Sequence, residues 1–222
     1  MPTHRIAAPL ITLAQAVAVS EAFNVSRAIP DVAFGCFAEL NTVLTVRCSR
    51  DDDHPVDSAA LIRAFFSRVA DFMRYHHAPL AYVYVRESGR EKGDHLHVAI
   101  YVPDALADRF LAKVEAWLAD LLEDHPVSDA LDVRPVSRWA GGLPGLLRYF
   151  IKEGDDEARA AYDVEHLRNG LPVYGKRLSI SSALKCAVRM RNANVVPFPA
   201  RRASTTADSR AALHPAPLSL VA

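Results

Sequence analysis

The sequence predicts an α+β domain in which helices pack on a central antiparallel sheet of four to five strands. Three observations predict it. Short runs rich in β-branched and aromatic residues alternate with stretches whose apolar residues recur at three- and four-residue steps, in the order strand, helix, hairpin, helix, strand, helix. Two of the strand-like runs are joined by a short, Gly-rich, charged connector, which implies antiparallel pairing. The chain's 222 residues, 50% of them apolar, suffice for the core of one ordinary domain with tails.

Residues 1–34 carry weak, Ala-rich patterning that fits either a loose helix or a disordered arm, and the main domain is expected to span 35–191. TVLTVRC (42–48) is β-branched and ends in the polar cluster SRDDDHP, so it reads as a strand running into a loop. From Asp57, the spacing of Leu61, Ile62, Phe65, Phe66, Val69, Phe72 and Met73 describes an amphipathic helix that stops near HHAP. LAYVYVRE and HLHVAIYV follow as the two arms of a hairpin across SGREKGD. After Pro103, the spacing of Phe110, Val114, Trp117, Leu118 and Leu121 marks a second helix, which ends before Pro126. ALDVRPV is a weaker strand. GGLP then introduces the helix GLLRYFIKEGD, with Pro144 at its start and Gly154 as its stop. VYGKRLSISSALKCAVR is the last segment expected to be ordered, because residues 192–222 have the composition of a disordered tail.

The 26 basic and 26 acidic residues cancel, which argues against a general polyanion binder. The charge is nevertheless uneven, with 14 Lys/Arg against 8 Asp/Glu in residues 131–222, leaving 12 against 18 before them. Phosphate contact is therefore expected toward the C-terminal part. Three cysteines without a C-x-x-C pair build neither a disulfide framework nor a zinc ribbon and favour a reducing compartment, so the cytoplasm is the expected location. No apolar run reaches the roughly 18 residues of a membrane helix, and neither an anchor nor a signal peptide is expected.

Two elements carry chemistry. In GDHLHVAIYV (93–102), His95 and His97 alternate with Leu96 and so face one side of a strand, with Cα atoms roughly 7 Å apart, close enough to share one metal ion. Leu96, Val98 and Ile100 then fill the opposite, core-packed face. Across the hairpin mouth, Glu87 is either a third, oxygen ligand or an ordinary turn-flanking acid. Two histidines and a carboxylate suit Mn²⁺ or Mg²⁺ acting on a phosphate. In RYFIK, Tyr149 and Lys152 are three apart on a helix and therefore neighbours on one face. A tyrosine hydroxyl, whose usual pKa is about 10, attacks a phosphodiester only with a cation nearby, and Lys152 and a histidine-bound metal supply that help.

A His-hydrophobic-His strand followed by a Y-x-x-K helix resembles the HUH endonucleases. Within them the chain is most similar to the rolling-circle replication initiators (Rep proteins) of plasmids and filamentous phages. His95, Leu96 and His97 match the second motif, Tyr149 and Lys152 the third, and TVLTVRC stands at the vaguer first motif; the likeness covers roughly 36–191. A departure from many such initiators is that residues 192–222 are not expected to form a helicase domain, and no second tyrosine pairs with Tyr149. Mobilisation relaxases have the tyrosine before the histidines, whereas single-strand tyrosine transposases share the order found here.

The resemblance implies an RRM-like sheet topology and metal-dependent nicking and joining of single-stranded DNA through a 5′-phosphotyrosine. Catalysis would then belong to Tyr149 and Lys152, metal binding to His95, His97 and Glu87, and the partner would be a single-stranded or hairpin origin. Host helicase and polymerase become further partners. Arg148, Lys176 and Arg177 are candidate contacts to the DNA backbone, or merely solvated cations. A transposase-like enzyme, a DNA-binding module that recognises a hairpin without cutting it, and a structural protein with an incidental histidine pair are the rival readings.

Overall fold

The two runs flanking SGREKGD pair as a hairpin, as their alternation predicts. The computed structural model describes residues 8–28, 39–48, 58–89, 93–122, 127–167, 170–173 and 176–192. In it the hairpin arms are β2 (Tyr82–Gly89) and β3 (Gly93–Ile100). The outer edge of β3 takes β1 (Thr42–Arg47), and β4 (Leu131–Pro135) adds beyond β1. A three-residue β5 (Leu178–Ile180) completes the other side against β2. The result is one antiparallel five-stranded sheet in the order β4-β1-β3-β2-β5, an α+β fold as expected. β3 sits in the middle with both edges paired, which suits a strand whose last six residues are all buried.

Alternation along the strands sorts the two faces. Leu96, Val98 and Ile100 join Leu44, Val46 and Tyr84 on one face, under α2 (Ser58–Tyr75) and α3 (Ala107–Leu122). The three- and four-residue spacing of Leu61, Phe65, Val69 and Phe72, and of Phe110, Val114 and Leu118, turns one stripe of each helix inward. On the opposite face, Val43, Val83, Val85 and Ala99 lie under Leu146 and Phe150 of a helix at Gly142–Ile151. In chain order that helix is α5, because a short α4 (Val127–Ala130) leads directly into β4.

Of the two readings of residues 1–34, the helical one holds over Leu13–Ala28, here α1. This helix is no separate arm. Ala16, Val19 and Phe23 are buried in the same cluster as the sheet, and Phe23 meets Phe150 edge-on with ring centroids 5.7 Å apart. Such a pair adds about 1 kcal/mol beyond the area it buries. The boundary expected at residue 34 therefore does not divide the core. Two further helices, α6 (Asp156–Ala161) and α7 (Ser182–Asn192), complete this layer through Ala158 and Leu184. The tail expected at 192–222 lies, beyond Asn192, outside the described residues.

Glycine shapes the entry to α5. Gly141 and Gly142 have φ of 76° and 60°, a left-handed conformation that residues with a Cβ resist. A Cβ on Gly145 would stand 1.9 Å from the Ala140 carbonyl oxygen. The GGLPG stretch thus turns the chain tightly and aims the next residues, including Tyr149, at the sheet. Cys48 and Cys186 are free thiols; burial first, then the nearby Asp94 charge, raises the Cys48 thiol above its ordinary range and leaves it an inert packing group. Among the described residues, no helix is long and apolar enough to cross a membrane.

Candidate metal and nucleophile site

The antiparallel register sets Glu87 of β2 directly opposite His95, with Val85 opposite His97. Glu87, His95 and His97 therefore emerge together on the face under α5, at the hairpin mouth where the apolar layer gives way. His95 Nε2 stands 2.9 Å from Glu87 Oε1 and His97 Nε2 3.7 Å from Oε2. One ligand atom from each of the three lies within 4.8 Å of the others, so the group could hold a metal ion.

The outer nitrogens explain this orientation. His95 Nδ1 is 3.0 Å from the Gly93 carbonyl, which only accepts, so Nδ1 donates there and Nε2 is the nitrogen turned toward Glu87. His97 Nδ1 is 3.0 Å from Thr45 Oγ1, and Thr45 is directly opposite His97 on β1. Supporting contacts of this kind fix the rings of metal-bound histidines. A carboxylate oxygen 2.9 Å from Nε2 is satisfied either by a proton on that nitrogen or by a metal ion that both atoms bind. The spacing suits a metal, since neighbouring ligands about 2.1 Å from an octahedral ion stand about 3 Å apart.

Glu87 is ready for that role. Burial alone would raise its carboxyl, but hydrogen bonds from His95 and Lys152 and the charges of Lys152 and His97 outweigh it and hold the pKa at about 2. It is therefore ionised at neutral pH.

Tyr149 reaches the same group from α5. Its hydroxyl lies 3.4 Å from Glu87 Oε1 and 3.3 Å from His97 Nε2. Its ring is held edge-on by His97, at 5.0 Å, and by Trp139, at 5.2 Å. Leu146, Phe150 and Ile151 are buried beside it and fix the rotation of the helix. Burial, the Glu87 charge and hydrogen bond, and the Glu153 charge all raise the phenol above its ordinary pKa, so the proton stays on until positive charge arrives.

Lys152 stands beside the ring, with its charge taken up by two carboxylates. Its ammonium pairs with Glu87 and lies 4.6 Å from the centre of the Tyr149 ring. It also donates to Glu153 Oε1 at 3.0 Å, and Glu153, fully buried, accepts from Arg177 at 2.7 Å and from the Gly170 amide at 2.9 Å. A line of alternating charge thus runs Glu87, Lys152, Glu153, Arg177 behind the site.

The expected residues divide accordingly. Glu87, His95, His97, Tyr149 and Lys152 come together. Arg177 does not serve as a surface cation: it is 5% exposed and holds Glu153 and the Pro9 carbonyl. Its place in the exposed-looking stretch GKR concealed that role. Lys176 is exposed and donates to Ser179 Oγ at 3.0 Å, while Arg148 is exposed on α5 beside Tyr149. Sequence reading missed Thr45, Trp139 and Glu153. Thr45 was findable, as a polar residue at an inward-alternating position of the first strand. It also missed a cleft of ≈ 350 Å³ on the β1 and β4 side of the histidines, whose walls include Thr45, Arg47, Asp132 and Arg134. Compared with known proteins, the chain matches no family model and no curated protein.

Proposed function

We propose that this protein is a metal-dependent HUH-type tyrosine nickase, which cuts and rejoins single-stranded DNA in the manner that initiates rolling-circle replication of a plasmid or phage. The observation that carries the reading is the Tyr149 hydroxyl within 3.4 Å of both Glu87 and His97. The sequence motifs place these residues 62 and 52 positions apart, and the fold joins them.

Mn²⁺ or Mg²⁺ held by Glu87, His95 and His97 would polarise the scissile phosphate and offset the charge that develops on it. Tyr149 Oη attacks phosphorus, the bond to the 3′ oxygen breaks, and the DNA is left joined to the protein through a 5′-phosphotyrosine. The phenolic proton passes to solvent and the departing oxygen takes one from solvent, so no net proton is consumed. Lys152 supplies positive charge beside the phenolate and the phosphate. Trp139 and His97 restrict the ring, so that little orientation has to be gained in the encounter. The phosphotyrosine conserves the bond energy, and attack by a 3′ hydroxyl reverses the step and rejoins the strand.

The test is incubation with a randomised single-stranded DNA pool and Mn²⁺, followed by denaturing electrophoresis. A protein-linked DNA band is expected from wild type, lost with chelator and lost in Tyr149→Phe. Equal adduct with chelator would remove the metal from the mechanism, and no adduct under any condition would overturn the function.

A further inference from the structure

The cleft beside the histidines has a defined position relative to the nucleophile. The sheet order places β3 and its histidines between β2 on one side and β1 and β4 on the other. Lys152 reaches the ligand group through Glu87 of β2, and the Tyr149 hydroxyl stands over Glu87 of β2 and His97 of β3. The cleft opens on the opposite side, where His95 and His97 share it with Thr45 and Arg47 of β1 and Asp132 and Arg134 of β4, and Tyr149 is not part of its wall. In an in-line displacement, the leaving oxygen departs opposite the attacking one. A phosphate attacked from above the β2 and β3 edge therefore sends its 3′ oxygen toward β1 and β4.

We infer that this cleft is the subsite for the nucleotide whose 3′ oxygen leaves, and that Arg47 binds the phosphate on that nucleotide's 5′ side. The inference rests on the proposed nicking reaction and adds the direction of the strand across the sheet. At ≈ 350 Å³ the cleft has room for a single nucleotide. Arg47 is exposed, lies directly opposite His95 in the register, and forms no ion pair with a described residue. Arg134, by contrast, is paired with Asp132 at 2.8 Å, which makes Arg47 the cation open to a phosphate. A guanidinium offers that phosphate a planar pair of donors.

The experiment uses an oligonucleotide carrying one site recovered from adducts of the randomised pool. Two modified copies replace a single phosphate by a neutral methylphosphonate, one on the 5′ side of the leaving nucleotide and one on the 3′ side of the cut. Nicking rates are measured for wild type and Arg47→Gln, with the unfolding temperature as a check on the fold. The 5′ replacement is expected to slow wild type about tenfold, and Arg47→Gln to slow the unmodified substrate by a similar factor. Arg47→Gln should lose nothing more on the 5′-modified substrate, whereas the 3′ replacement should slow both proteins equally. Independent losses from Arg47→Gln and the 5′ replacement, a shared loss with the 3′ replacement, or an unaffected Arg47→Gln would each overturn the inference and leave the nickase reading intact. Failure of wild type to form any adduct would overturn both.

Discussion

Replacing Glu153 with Gln removes one charge from the buried line that backs the site. The carboxylate is 0% exposed, and it is the charged partner of an Arg177 side chain that is itself 4% exposed. Lys152 would keep Glu87, but Arg177 would keep only neutral acceptors, the Pro9 carbonyl at 3.2 Å and an amide oxygen, and no counter-charge on Glu153. Breaking a buried pair by deleting one partner costs about 3–5 kcal/mol, and the surviving Lys152 contact places this case near 3 kcal/mol. For a chain of this size, that lowers the unfolding temperature by about 6–12 °C. Urea and thermal unfolding followed by circular dichroism, with chelator present, measure the loss. Glu153→Leu combined with Arg177→Met should recover most of it, because no charge is then left unpaired. A loss under about 1 kcal/mol for Glu153→Gln, or a double variant as unstable as the sum of its singles, would refute the structural role of the pair.

Other consequences concern packing, acidity and the metal. Phe23→Ala, which empties the contact between α1 and α5, should cost about 3–5 kcal/mol in urea unfolding, whereas a dispensable N-terminal arm would cost nothing measurable. Glu87 has its folded pKa, about 2, below the ordinary value near 4.3. Its ionised form therefore stabilises the fold above about pH 4.3, and that stability is lost as pH falls through about 2. In chelator, wild type should exceed Glu87→Gln by up to about 3 kcal/mol at neutral pH, and the gap should close in acid; a gap that widened in acid would contradict the sign. Thr45→Val removes the oxygen that orients His97, and should weaken Mn²⁺ binding, measured by calorimetry, about tenfold or more.

What could be read in the sequence followed from periodicity. The helices α2 and α3 carry large apolar residues at three- and four-residue steps, and β2 and β3 alternate cleanly around a charged connector, so all four were legible. The histidine pair was legible for the same reason, since alternation fixes which residues share a face. α1 was not, because its buried stripe is built partly from Ala16 and Ala22, small residues that an exposed helix also uses. β5 is three residues long, too short for any period to show. Glu153 and Arg177 were hidden by type: charged residues are seldom fully buried unless paired, and the pairing joins positions 24 apart that only the fold brings together. The cleft was invisible because it depends on β4 lying beside β1, a matter of strand order that no local pattern states.

The central claim is that Tyr149 forms the covalent bond to DNA. The most direct measurement is mass spectrometry of proteolysed adduct from wild type, Mn²⁺ and single-stranded DNA, which identifies the modified residue. The expected result is nucleotide mass, joined through a 5′ phosphate, on the peptide containing Tyr149 and at that residue. DNA attached to any other residue, or through a 3′ phosphate, would contradict the account.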